Sequence, residues 1–169
     1  DSLGGIAWIE WDEDIRLRKP QAMASYEKKL EKQIACYCYQ QYLFAKQWDE
    51  LKTYANKKGI QIIGDIPIYV AYDSVDVWCH PEYFELDEER KQVNVAGCPP
   101  DGFSADGQLW GNPVYNWENH EKSDFLWWDR RIARQAQLFD VIRIDHFIGI
   151  CNYYAIPYGL KDATVGKWH

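Results

Sequence analysis

The stretch Phe139-Asp140-Val141-Ile142-Arg143-Ile144-Asp145-His146-Phe147 is a short apolar run, with its strand over 140–145, that ends abruptly in an arginine, an aspartate and a histidine. A run of that length bounded by polar residues reads as a buried strand. Side chains two apart on a strand share a face, so Arg143 and Asp145 point one way and Ile142 and Ile144 the other. Upstream, Glu121 to Leu138 reads as a helix, with Phe125, Trp128, Ile132, Gln135 and Leu138 on its inner face. The same order occurs earlier in the chain. Pro20 to Lys58 reads as helical, with Pro20 in a first turn and Gly59 as the stop after Lys57 and Lys58. Ile34, Cys38, Tyr42, Ala45, Trp48, Leu51 and Ala55 recur at spacings of three and four, one apolar stripe expected to be core. Ile60 to Ile63 then reads as a second buried strand, stopped before Pro67, with Asp65 at its C-terminal end. Helix, strand and an acidic residue at the strand end occur twice, which is the grammar of an α/β fold.

Between the two units, residues 71–120 hold no convincing helix of comparable length. Glu85-Leu86-Asp87-Glu88-Glu89-Arg90 reads as a solvated turn, and His80, in Trp78-Cys79-His80-Pro81, as a turn histidine. Gly97, Pro99, Pro100, Gly102, Gly107, Gly111 and Pro113 follow, interleaved with Phe103, Trp110, Tyr115 and Trp117. A loop this long is usually functional or disordered. The aromatics argue against disorder, so the stretch is expected to be an ordered binding loop. In a parallel barrel Ile142 and Ile144 would meet the surrounding helices, and Arg143 and Asp145 would crown the interior at the end where barrels do chemistry. A purely structural ion pair at a strand end is the alternative.

A complete (β/α)8 barrel takes about 250 residues, and this chain has 169. It opens on Asp1-Ser2-Leu3-Gly4-Gly5 without methionine. The expectation is therefore one domain over 1–169, a partial (β/α)8 TIM barrel excised from a longer protein, with 71–120 as a long βα loop or insertion.

The net charge of −7 argues against nucleic-acid binding, which needs clustered Lys and Arg facing phosphates. Nine tryptophans and twelve tyrosines suit carbohydrate, whose C–H faces pack on flat rings, although most aromatics must simply fill the core. The five cysteines, Cys36, Cys38, Cys79, Cys98 and Cys151, are scattered without metal-ligand spacing. They are expected to be buried free thiols in a cytoplasmic protein that needs no metal. No apolar run is long enough to span a membrane.

Arg143-Ile144-Asp145-His146-Phe147 resembles the strand-four motif of the α-amylase clan, and most of all the 4-α-glucanotransferases called amylomaltases or disproportionating enzymes. Three further blocks resemble that family in order and spacing: Gly64 to Ala71, Val95 to Asn112, and Tyr153-Tyr154-Ala155-Ile156-Pro157. The resemblance implies that the chain covers strands three and four of the barrel and that Asp145 is the nucleophile of a retaining reaction. Such enzymes set two carboxyl groups about 5–5.5 Å apart. Arg143 would hold Asp145 ionised against desolvation. Asp65 would ligate sugar hydroxyls beside the scissile bond, or tie down a loop. Asp101, Ser104 and Trp110 fall on the acceptor-side loop, and His146 resembles a contact within the site. The implied partners are α-1,4-glucans, whether maltooligosaccharides, starch or glycogen, with no cofactor.

Two positions depart from the family. Ile148 stands where arginine is expected, and Tyr154 where tryptophan is common. A third departure is an absence: the family's acid/base glutamate lies on strand five, and no Glu follows Asp145. General acid catalysis contributes roughly 10²–10⁴-fold, so the chain alone is expected to be close to inert. Its exposed barrel edges are expected to promote self-association. An α-glucan hydrolase of the same clan and a non-catalytic carbohydrate-binding or scaffold piece are the alternative readings.

Overall fold

The computed structural model describes residues 5–169; Asp1 to Gly4 lie outside them. The chain divides into two compact units. One takes the chain up to Gly64 together with Ile132–Arg143, the other Asp65–Arg131 with Ile144–His169.

The first unit is mainly helical. After a 3-10 turn at Trp8–Glu10 come α1 (Glu13–Arg16), α2 (Pro20–Lys29) and the long α3 (Glu31–Lys57). Pro20 opens α2, where its missing N–H costs nothing. The expected single helix breaks at Leu30, and Gly59 ends the run at φ +75°, a left-handed turn that a side chain resists. The C-terminal half of α3 turns Ala45, Trp48, Lys52 and Ala55 inward, each half-buried. Trp48 Nε1 donates to the Leu138 carbonyl at 2.7 Å, and its ring stands edge-on to Phe139. Asp140 Oδ2 accepts from the Ile62 amide and from Asn56 Nδ2, each at 2.8 Å, and these bonds hold its carboxyl below the usual carboxylate range.

The core expectation for α3 is corrected. None of its residues is fully buried, and Tyr42 and Leu51 are 61% and 54% exposed. Periodicity set the stripe, but no part of the described chain covers its N-terminal half.

The strands β1 (Ile63–Ile66) and β4 (Val141–Ile144) form a two-stranded sheet. Asp140 and Val141 amides reach the Ile62 carbonyl and the Asp145 amide reaches that of Ile66, so both strands advance in the same direction. The first strand lies further along than Ile60 to Ile63, and Ile60 and Ile63 are 59% and 68% exposed rather than buried. The buried positions are Gly64 and Ile66. Gly64 has no room for a side chain, since a Cβ there would fall 2.0 Å from Phe139.

The second unit contains α4 (Val75–Cys79), β2 (Asn94–Cys98), β3 (Gln108–Pro113), α5 (Trp117–Lys122), β5 (Tyr154–Pro157) and β6 (Lys167–Trp168). The four strands make an antiparallel sheet in the order β3-β2-β5-β6. Two of these strands, β2 and β3, and the short helix α4 lie within the stretch 71–120 expected to be a long loop. The expected helix over 121–138 is α6 (Leu126–Leu138), separated from α5 by Asp124 and Phe125, both in the left-handed region. Trp127 and Trp128 are its buried residues, while Phe125 and Ile132 lie exposed. Tyr115 sits fully buried among the rings of Tyr69, Phe84, Trp117, His120, Trp127 and Trp128. A second cluster, Val95, Tyr154, Ile156 and Ala163, fills the sheet. The architecture is mixed α/β, as expected.

Candidate active site

Exposed residues alternate with buried ones on β1 and with half-buried ones on β4, and the charged residues fall on the open positions. Asp65 is exposed between buried Gly64 and Ile66. Arg143 is exposed on β4 in the first unit. Asp145, one residue past the strand, is exposed in the second unit, and its amide donates to the Ile66 carbonyl at 3.0 Å.

His146 then turns the chain out of the strand at φ 51°, ψ 44°. A non-glycine residue is uncommon there and pays some strain. The turn swings its imidazole onto β3, where it meets the Trp110 ring edge-on at 4.8 Å. Burial pushes the His146 pKa down, against the pull of the Asp145 charge. Gly149 makes the turn possible: a Cβ there would lie 2.9 Å from both His146 Cδ2 and Ile68 Cδ1 and 3.3 Å from the Tyr69 hydroxyl.

Trp110 is 36% exposed, so one part of the indole is packed and another open. Its ring lies 6.1 Å from that of Tyr69, which stacks on Tyr115. Nε1 donates to Gln108 Oε1 at 3.0 Å. The next residues anchor β3 from both sides. Gln92, itself buried, donates to the Gly111 carbonyl, and Asn112 donates to that of Val70, each at 2.8 Å.

Asp101 and Ser104 form one tight turn. Asp101 Oδ1 accepts from the amides of Phe103 at 2.8 Å and Ser104 at 2.9 Å, while Ser104 Oγ donates to the Gly107 carbonyl at 2.6 Å. This is the side-chain-capped turn that Asp favours, and it commits one Asp101 oxygen and the Ser104 hydroxyl to loop geometry. Phe103 projects fully into solvent beside them.

The structure thus brings His146 and Trp110 into contact, sets Asp145 on the Ile66 carbonyl beside the strand that carries Asp65, and keeps Asp101 and Ser104 together in one turn. Tyr69, Asn112 and Gln92 were missed by sequence reasoning. Tyr69 lies inside the Gly64 to Ala71 block, a placement that could have flagged it. Of the two departures, Tyr154 is a core residue whose hydroxyl donates to the Ala163 carbonyl at 3.0 Å, whereas Ile148 is exposed two residues past His146. His80 is the turn residue expected, between α4 and the 3-10 turn Pro81–Tyr83.

All five cysteines are free, but Cys36, Cys38 and Cys151 are exposed and Cys79 and Cys98 half-buried, so the expectation of burial is corrected. Among the described residues no cluster of three or more His, Cys, Asp or Glu could hold a metal, and no helix is long and apolar enough to cross a membrane.

The family model described as 4-alpha-glucanotransferase matches residues 1–169. The 4-alpha-glucanotransferase of Aquifex aeolicus is 48% identical over 97% of this chain and that of Clostridium butyricum 49% over 96%; in each the match covers 34% of the relative. The amylomaltase of Streptococcus agalactiae in complex with acarbose is similar at a TM-score of 0.95 and 50% identity, over 99% of this chain and 34% of that one. The chain thus spans about a third of the length of the relatives it matches. On these grounds the chain belongs to the 4-alpha-glucanotransferase family.

Proposed function

We propose that this chain carries the nucleophile side of a 4-α-glucanotransferase that moves α-1,4-glucan segments between acceptors with retention of configuration. The observation that carries the reading is the strand end itself. Asp145 stands open to solvent while its backbone is tied to Ile66, and the next residue locks onto the half-exposed Trp110 ring. An acceptor-rich carboxylate beside a flat apolar face matches what a sugar ring offers.

The Asp145 carboxylate attacks the anomeric carbon, forming a covalent bond as the glycosidic C–O bond breaks. The departing glycosidic oxygen takes a proton from a general acid and leaves as a hydroxyl; the family's acid is a glutamate, and no glutamate follows Asp145 here. An acceptor hydroxyl then attacks the intermediate and returns that proton. Arg143, two residues before, is the fixed positive charge of the catalytic strand in this reading. Asp65 takes hydroxyls beside the scissile bond, Asp101, Ser104 and Trp110 line the acceptor side, and His146 is a contact within the site. Within this reading β1 and β4 are the third and fourth strands of a (β/α)8 barrel of which the chain is part, and 71–120 is its long βα insertion. The complex of the Streptococcus agalactiae relative with acarbose supports maltooligosaccharides, starch or glycogen as partners. Free thiols throughout suit a cytoplasmic location.

The test is maltotriose disproportionation by the full-length protein that contains this segment, with product sizes read out. Asp145→Asn is expected to lower turnover on the order of 10⁴-fold or more with thermal unfolding unchanged. Near-normal turnover removes Asp145 as the nucleophile.

A further inference from the structure

The segment Pro67–Val70 links β1, where Asp65 sits, to the rest of the second unit, and its carbonyls are held by side chains. Arg131, on α6, donates through Nη2 to the Pro67 carbonyl at 2.5 Å and through Nη1 to that of Ile68 at 2.9 Å. The Tyr115 hydroxyl also donates to the Ile68 carbonyl, and Asn112 takes that of Val70. Ile68 is buried, so its carbonyl needs a partner inside the protein, and it has two. A guanidinium suits the place because it is always charged and offers several donors in one rigid plane.

The guanidinium is itself fixed. Its carbon lies 5.3 Å from the Trp127 ring centre and 5.2 Å from that of Trp128, a cation over two aromatic faces. Nη1 also lies 3.3 Å from the Tyr115 hydroxyl. From this anchor contact runs without a gap to the candidate site. Arg131 holds the backbone on which Tyr69 is mounted, Tyr69 lies against Trp110, and Trp110 meets His146, the neighbour of Asp145.

We propose that Arg131 is a positioning residue for the transfer reaction: it sets the Pro67–Val70 bend, and through Tyr69 the Trp110–His146 ring pair. It touches no substrate in this scheme. The inference rests on the glucanotransferase reading for its kinetic consequence and on geometry alone for its structural one.

The experiment uses the full-length protein with Arg131→Met and Arg131→Lys. Hydrogen exchange is followed in peptides covering 65–70, 108–112 and 146–149, alongside maltotriose kinetics and thermal unfolding. Arg131→Met is expected to raise exchange in all three peptides and to lower kcat/KM about 10²-fold, as small misplacements of reacting groups do. Lysine, a single point donor, is expected to recover only part of the loss. Unchanged exchange in 108–112 and 146–149 overturns the proposal, and so does raised exchange with unchanged kinetics per folded molecule. If the unaltered protein shows no disproportionation, the function reading fails by itself, and the exchange pattern still decides whether Arg131 positions the ring pair.

Discussion

His120 is fully buried, stacked on Tyr83 at 4.5 Å and edge-on to Tyr115 and Trp127. Burial pushes its pKa down to about 4, with the Tyr83 carbonyl and the Glu82 charge pulling the other way. In the unfolded chain it titrates near the ordinary histidine value, about 6.5. The unfolded state therefore takes up the proton first, and stability falls as pH drops from about 6.5 toward 4, by about 3 kcal/mol if the full difference is felt. Below that range both states are protonated and the loss stops growing. His120→Phe keeps a stacked ring without a titratable group, so its thermal midpoint is expected to vary less with pH across this window. An unchanged slope would assign the acid limb to other groups. Nothing in Asn119-His120-Glu121 marks this residue as buried. A histidine flanked by polar residues reads as surface, and only the fold brings Tyr83, Tyr115 and Trp127 around it. Arg131 escaped for the same reason, because a charged residue on a helix is read as solvent-facing until a carbonyl is found to receive it.

Elements were easier to read than their environments. Both long helices and the two strands that follow them are legible because apolar periodicity and the punctuation of Pro20, Gly59 and Pro67 act locally. The pairing of β2 with β5 is not, since Val95 meets Ile156 across a long stretch of chain and no local signal specifies that register. Its tightness can be tested through glycines of different kinds. Gly97 lies where β2 faces both neighbours, and a Cβ there would fall 2.1 Å from the Gln108 carbonyl oxygen and 2.6 Å from Ile156 Cδ1. A backbone oxygen cannot step aside cheaply, so Gly97→Ala is expected to cost about 3 kcal/mol, the upper range for overpacking. Gly59, by contrast, has open space around its missing Cβ and only a positive φ to protect. Gly59→Ala is expected to cost about 1 kcal/mol, from backbone strain alone. Denaturant unfolding of both variants checks the order; equal losses would mean that the sheet yields at Gly97 more readily than the close approach implies.

At the scale of the whole chain, what matters is the apolar surface that has no cover. Ile34, Cys38 and Tyr42, the N-terminal half of the apolar stripe on α3, are all exposed, while its C-terminal half is packed through Trp48. An amphipathic stripe is written for a partner surface, and the sequence reports the stripe without reporting what meets it. Contiguous exposed apolar surface of this kind drives association in water. The 169-residue chain on its own is therefore expected to self-associate, with a sedimentation coefficient that rises with concentration, and to be silent in maltotriose disproportionation because no glutamate follows Asp145. Replacing Ile34 and Tyr42 with lysine is expected to shift the chain toward monomer while leaving the second unit folded, read from the near-ultraviolet signal of its clustered tryptophans. The two expectations are separable. A monomeric, silent chain would mean that the aromatic stripe tolerates water and that inactivity comes from the missing acid alone. An active chain, at any association state, would mean that a group already present donates the proton to the departing hydroxyl, and the division of the two catalytic carboxyls between this segment and the rest of the enzyme would fall.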